Sequence, residues 1–296
     1  MLQLGATPMP EYKRQHFLPA TYLKNFTMEG AAASRRSKLW RVDQLRQVEV
    51  PVESQCSGAF LFSRRAAKGT EEMFQQVEVP YSAAIGKVWR NQNPTVGDYL
   101  TLIVAMFEFH VRNVVHENVT GLEGVIAYNR RLDTFLTRMV LGSSLERSAT
   151  AEEIRNHLKA FWRVRLLRTQ GNMLLTSDHP AHILTWDSSP ESKGIDFVLM
   201  PITRFYYAVA FDNRRTAVRG NVMTVADEVT LATSQIDNCG EAVFIPQAAT
   251  PFALSAVRER WLHRTPPTTR TDLEKWELNL RFPMSESVLS FLQRIK

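Results

Sequence analysis

Near its N-terminus the chain reads Gln15-His16-Phe17-Leu18-Pro19 and then Tyr22-Leu23-Lys24-Asn25-Phe26, and no other stretch restricts the fold so strongly. Phe17, Leu18, Tyr22, Leu23 and Phe26 carry too much apolar surface to remain in water, where each such side chain left exposed forgoes about 1.5–3 kcal/mol. Pro19 fixes its own φ and pushes Leu18 toward extended backbone. The segment therefore reads as a short strand or turn entering one turn of helix, docked on a core, with His16 carried inward. It is core material rather than a leader or a tail.

The rest of the chain divides by hydrophobic period. Residues 1–65 are extended and turn-rich: Lys38 to Asp43 alternates like a strand, Gln47 to Val52 like its hairpin partner, and Ala59 to Phe62 is a short apolar run expected on the core. Residues 70–168 read as helical. Thr70-Glu71-Glu72 opens a helix reaching about Asn91, which Pro80 must kink or split. A longer helix runs from Val96 to about Asn118, with Tyr99, Ile103, Met106, Phe107 and His110 at three- and four-residue spacing. Gly121 to Leu141 is read as another, and Ala151 to Leu167 as a fourth, opened by a Thr150–Glu153 capping box. Residues 172–262 turn to strands: Met173 to Asp178, Phe197 to Ile202, Phe205 to Phe211 paired with it, and Ala242 to Ile245, with a helix from Thr224 to Gln235. Residues 265–296 form a Pro-containing linker and a last helix, Glu286 to Arg294. The expectation is α+β, a helical middle flanked by N-terminal and C-terminal strand-rich segments, built as a single composite domain over residues 1–296.

Composition excludes several classes. Of 296 residues, 44% are hydrophobic and 22% charged, ordinary values for a soluble protein with its own core. Cys56 and Cys239 are far apart and not in CxxC spacing, so neither a disulfide framework nor a thiolate zinc site is expected. The start has no charged region followed by an apolar run, and Tyr99 to Val111 is too short to span a bilayer. A cytoplasmic location is the expectation, without membrane association. The net charge of +6 is compatible with nucleic acid or nucleotide as partner, and arginine, the better fork for phosphate, dominates it.

Motif arguments mostly subtract. Gly-x-Gly-x-x-Gly, the Walker loop, Gly-x-Ser-x-Gly and His-Glu-x-x-His are missing, which disfavours dinucleotide redox, P-loop and ordinary serine-hydrolase chemistry. No residue pattern specifies a cofactor. Asp178, His179 and His182 do not share one face of a strand, so no metal is assigned to them, and Asp178 before His-Pro reads as an Asx-type turn. Glu191 and Lys193, downstream of Asp178, sit in a loop by composition and not on the strand that a restriction-type nuclease needs. His157-Leu158-Lys159 lacks the downstream Asp of a phospholipase-type motif. Glu108, Arg112 and His116 form an i, i+4, i+8 stripe, the usual mark of a solvated, salt-bridged face.

Five marks together resemble the family called domain of unknown function 4238. They are QHFLP-x-x-YL-x-NF (Gln15, His16, Pro19, Tyr22, Leu23, Phe26); Leu39-Trp40-x-x-Asp43; a helix with a glutamate pair, Glu71 or Glu72 with Glu78; a helix ending in a Gln-x-x-Arg type cluster, of which Arg112 is retained; and Thr176-Ser177-Asp178-His179-Pro180. The resemblance implies a bacterial or phage-related cytoplasmic protein in the company of defence or toxin loci. On the same basis His16, Glu78 and Asp178 are the expected catalytic groups, and Gln15, Arg112 and Tyr22 the expected substrate-binding ones. Brought together, they would supply base, acid, cation and orienting carboxylate for hydrolysis at a phosphate or glycosidic bond. The expected function is a hydrolase acting on nucleic acid or nucleotide. The alternative is a non-catalytic sensor or interaction module in which the same residues are scaffold.

Overall fold

The computed structural model describes residues 14–59, 67–118, 126, 129–130, 132–133, 136–137, 148–171, 174–184, 197–214, 216–264 and 286–295. The N-terminal segment is strand β1 (Arg14–His16) followed by the single turn α1 (Ala20–Leu23). A hairpin, β2 (Lys38–Asp43) and β3 (Gln47–Pro51), leads to β4 (Ser57–Ala59), which pairs antiparallel with β1. Helices α2 (Ala67–Trp89) and α3 (Val96–Asn118) come next, then α4 (Ala151–Phe161). The remainder is β5 (Trp162–Arg168), β6 (Thr176–Ser177), β7 (His182–Leu184), β8 (Phe197–Thr203), β9 (Tyr206–Asp212), α5 (Val225–Asn238), β10 (Ala242–Ile245), α6 (Pro251–His263) and α7 (Glu286–Ile295). The fold is α+β. Among the described residues no helix is long and apolar enough to cross a membrane.

Two four-stranded antiparallel sheets carry the architecture, in orders β3-β2-β10-β6 and β5-β9-β8-β7. Every residue of β8 is buried, because both faces of its sheet are covered. Val198, Met200 and Ile202 point into a central core, and Phe197 and Leu199 point the other way, into a second one. That is why the strand reads as an uninterrupted apolar run and not as an alternation. The central core takes the N-terminal segment, α2, α3 and one face of each sheet. The outer face of the β8 sheet packs on Leu231 of α5 and Phe291 of α7, and the outer face of the β2 sheet on Ile236 of α5 and Leu254 of α6.

The N-terminal segment is core, as its composition requires: Leu18, Tyr22, Leu23 and Phe26 are all fully buried. Tyr22 lies 5.2 Å from Phe26 and 5.6 Å from Phe109, ring to ring, and Phe109 lies 5.3 Å from Tyr81. Such pairs add about 0.5–1.5 kcal/mol each beyond area burial. The Tyr22 hydroxyl donates to the carbonyl of Pro201 (2.7 Å) and shares a 2.6 Å bond with Thr176 Oγ1. Burial pushes its pKa well up. Tyr22→Phe should cost about 1–3 kcal/mol, because the buried Pro201 carbonyl loses its donor and the Thr176 hydroxyl loses its acceptor. Chemical denaturation checks this, and an unchanged midpoint would refute it. Gly30 (φ +55°) seats the following loop: a Cβ there would lie 2.7 Å from the Trp89 ring.

Several boundaries differ from expectation. The helix after Thr150 has its capping box but stops at Phe161, and Trp162 to Arg168 is a strand along β9. Trp162, Val164 and Leu166 alternate there with Arg163 and Arg165, a period of two that the preceding helical pattern hides. Helix α2 begins at Ala67, so Thr70 is a buried residue inside it rather than its cap. It is not split at Pro80, since Tyr81, Ala84, Ile85 and Val88 anchor the second half to the core. Of the strand expected over Met173 to Asp178, the described residues from Leu174 onward form only Thr176–Ser177. Phe60 to Phe62, Glu191 to Lys193 and the 265–271 linker lie outside the described residues, as does most of Gly121 to Leu141.

Candidate functional site

Helix α2 presents Glu71, Phe74, Glu78 and Tyr81 at spacings of three and four, so all lie on one face. Phe74 and Tyr81 are core residues, so acids on this face are drawn toward the interior and need a cation. Arg112 of α3 supplies it. Its side chain has 0% exposure, its Nε donates to Glu108 Oε1 (3.0 Å), and its Nη2 pairs with the same carboxylate. Its Nη1 donates to Glu78 Oε1 (2.8 Å) and to the main-chain carbonyl of His16 (3.3 Å). The guanidinium also lies 3.6 Å above the Phe74 ring. One buried cation thus ties β1, α2 and α3 together. Glu108 and Arg112 are fully buried, which overturns the expectation of a solvated stripe on α3; the side chain of His116 lies outside the described residues.

His16, Glu71 and Glu78 form the edge of this network that reaches solvent, each partly exposed. His16 Nδ1 is 3.2 Å from the Gln55 carbonyl. A carbonyl only accepts, so Nδ1 carries the proton and Nε2 carries the lone pair. Burial lowers the imidazole pKa, opposed by the Gln55 bond and the Glu78 charge and assisted by Arg35 and Arg112. Glu71 shifts the other way: burial first, and then the Glu78 carboxylate, raise it. Its Oε1 is buried with no hydrogen-bond partner. Arg35, exposed on the loop before β2, acts electrostatically on both His16 and Glu71. The edge therefore combines an imidazole biased toward its neutral form, a carboxyl biased toward its protonated form and an exposed cation.

The other expected site residues lie elsewhere or deeper. Asp178 is buried and committed to the turn before β10, accepting from the amides of Gly240 (2.9 Å), Glu241 (2.5 Å) and Ala242 (3.3 Å). The local turn expected of Asp178 is made by its neighbour, since the His179 amide donates to Ser177 Oγ (3.2 Å). The Asp178 charge is felt at Cys56, whose thiol is pushed well up, first by burial and then by that carboxylate. The charges acting on His16 are those of Glu78, Arg35 and Arg112. Gln15 and Tyr22 are fully buried, so Tyr22, expected at the substrate, is a strut between α1 and the strands. His182 meets Ser234 and Gln235 (3.1 and 3.3 Å) in a separate buried polar network.

Among the described residues no group of three or more His, Cys, Asp or Glu side chains is placed to hold a metal ion. Arg112 stands where a cation would otherwise sit, between Glu78 and Glu108. Sequence reasoning marks Glu71 only as one of a glutamate pair and does not single out Glu108 or Arg35 for the site. The readable signal is the acid at i, i+7 within an apolar helix face, which requires a buried cation nearby.

A family model described as "Protein of unknown function (DUF4238)" matches residues 14–244, from the first residue of β1 into β10. No curated protein and no solved structure matches the chain.

Proposed function

The chain belongs to the DUF4238 family, and from that premise we propose that it is a hydrolase of phosphoester bonds in nucleic acid or nucleotide, centred on His16, Glu71 and Glu78. The observation that carries this reading is the pairing, on one partly exposed edge, of an imidazole with a bare Nε2 and a carboxyl whose burial favours its acid form. Environments that push two titratable groups apart in this way divide the roles of base and acid. In the reaction, water oxygen attacks phosphorus and its proton passes to His16 Nε2. The bond from phosphorus to the leaving oxygen breaks, and Glu71 gives that oxygen its proton. Glu78 stabilises the imidazolium so formed, Arg112 holds Glu78 in place, and Arg35 faces the phosphate charge. Gln15, Tyr22 and Asp178 position the strands and take no part in proton transfer. The proposal extends to a bacterial cytoplasmic protein acting in defence or as a toxin. Cys56 and Cys239 are both buried free thiols, which fits a reducing compartment.

The test is turnover of a panel of oligonucleotides and nucleotides by the wild type, His16→Ala, Glu71→Gln and Glu78→Gln, each first shown to be folded. Loss of a general acid or base should cost about 10²–10⁴-fold. Folded variants that keep the wild-type rate, or a wild type inert toward the whole panel, would rule the reading out. The pH profile is a second check. The base needs the neutral imidazole, whose pKa lies below 6.5, and the acid needs the protonated carboxyl, whose pKa lies above 4.5. Both shifts favour the forms the reaction needs, and Glu71→Gln should remove the basic limb. Because folding depresses the imidazole pKa, its contribution to stability is present above 6.5 and is lost as pH falls through the folded value.

A second reading, a non-catalytic ligand-binding module, is favoured by an apolar groove of about 370 Å³ between α2, α3 and α4, lined by Val77, Pro80, Leu100, Val104 and Ile154 among others. Small apolar molecules raising the thermal midpoint of a catalytically inert protein would favour it.

A further inference from the structure

We infer that the β5 edge of the β5-β9-β8-β7 sheet binds single-stranded nucleic acid, with one nucleotide seated in the concavity at the end of β5. The inference rests on the nucleic-acid part of the function proposed above and concerns a different face of the molecule. Strand β5 is an edge strand, and its free side is followed by residues 218–223. The Arg168 amide donates to Asn221 O (2.9 Å), the Met223 amide to Arg168 O (2.9 Å), and Arg165 Nε to Val218 O (3.1 Å). Arg163, Arg165 and Arg168 on the strand and Arg219 on the accompanying segment are all exposed. Arg163 and Arg165 share a face about 6.7 Å apart, the two-residue repeat of a strand. Arg163 is held against the end of α4 by the carbonyls of Lys159 (3.0 Å) and Ala160 (3.2 Å). Of the acids on the surrounding elements, Asp212 is paired with Arg214 and Asp227 with Arg294, while Glu228 accepts from the Gln170 amide beside the hollow at the end of β5. Arg163 and Arg165 are thus two cations on one face fixed by main-chain carbonyls, with Arg168 on the other face of the same edge, a set suited to a phosphate backbone.

Arg168 lines a concavity of about 510 Å³ at the end of β5 together with Thr169, Gln170, Gly171, Phe205 and Val222. Phe205 is partly exposed, and its ring lies 4.8 Å from the Arg204 guanidinium and 6.0 Å from the Trp89 ring. Val222 is 49% exposed. An aromatic ring in contact with Arg204 and Trp89, with an apolar side chain, a glutamine and an arginine around the same hollow, suits an unstacked base and its phosphate. Stacking platforms combined with a basic track are how proteins hold single strands with little sequence preference. A duplex keeps its bases stacked and offers none to Phe205.

The test is fluorescence anisotropy of the full chain with labelled single strands of about 16 nucleotides, DNA and RNA, and with the matching duplex, across salt concentrations. The single strands should bind more tightly than the duplex. Arg163→Gln/Arg165→Gln/Arg168→Gln should flatten the dependence of log K on log salt by about 2, near 0.7 for each phosphate no longer neutralised. Phe205→Ala should weaken binding about 5–150-fold with little change of slope. Should Phe205→Ala fail to fold, Arg168→Glu at an exposed position reports on the same hollow. Absence of binding by the wild type, wild-type affinity in these variants, or duplex binding as tight as single-strand binding overturns the inference. Strands bound but never cleaved, with nucleotides also left intact, would sink the hydrolase reading and leave this surface standing. Cleavage with binding untouched by the variants would do the reverse.

Discussion

Arg112→Met is expected to lower stability by about 3–5 kcal/mol, the range for removing one partner of a buried ion pair. Methionine can occupy the volume of the arginine stem, so a void is not the main cause. The Glu108 side chain has no exposure at all, and without the guanidinium its charge loses the two bonds from Arg112. Glu78, one-fifth exposed, can turn toward water and contributes less. The carbonyl of His16 also loses its donor, which loosens β1 where it meets α3. Lysine should not rescue, because Arg112 uses Nε, Nη1 and Nη2 in different directions and an ammonium cannot. Adding Glu108→Gln to the methionine variant should restore a large part of the loss by removing the stranded charge. Urea denaturation gives the result as a shift of midpoint at constant slope. A loss below about 1 kcal/mol, the level of an exposed pair, would show that the network does not hold the helices as described.

Asp178→Ala is expected to cost about 3–4 kcal/mol. Hydrogen bonds to a charged group contribute roughly 1.5–3 kcal/mol each, and three amides converge on this carboxylate, although they share it and will not add fully. Asp178→Asn should lose about half as much, since one oxygen remains to accept. Amide exchange at Gly240 and Glu241 should speed up in both variants before the rest of the sheet is affected. This pair of variants also separates architecture from chemistry. An asparagine variant as stable as the wild type yet without turnover would return Asp178 to the catalytic set; a destabilised variant with proportionate activity would keep it in the turn.

Local structure is readable from sequence wherever one period holds over a whole element. Helix α3 begins and ends where its three- and four-residue spacing says, and the β8 and β9 strands stand out as apolar runs separated by Thr203-Arg204. Strand β5 is hidden because Ile154, Leu158 and Phe161 set up a helical rhythm that runs on into Trp162, Val164 and Leu166. Its strand character comes from pairing with β9, 38 to 50 residues on. The site is legible in part. His16, Glu78 and Arg112 stand out in the sequence and do share one guanidinium. Asp178 carries the same sequence prominence but is bound to the turn at residues 240–242. A helical face can be read from spacing, but which face meets which cannot. The Glu78–Arg112 contact spans thirty-four residues, and Tyr22 reaches Pro201 across 179.

The placement of β2 in its sheet governs the order in which the protein can be made. Residues 38–43 have β3 on one side as soon as the hairpin forms, but their other side waits for residues 242–245. At ribosomal rates of about 5–20 residues per second, the roughly 200 residues between them take on the order of 10–40 s to emerge. For that time the nascent chain presents an open strand edge, and Tyr22 lacks the Thr176 and Pro201 partners that fix α1. The seat of α1 and the open edge of β2 are thus completed only by strands that emerge much later in the chain.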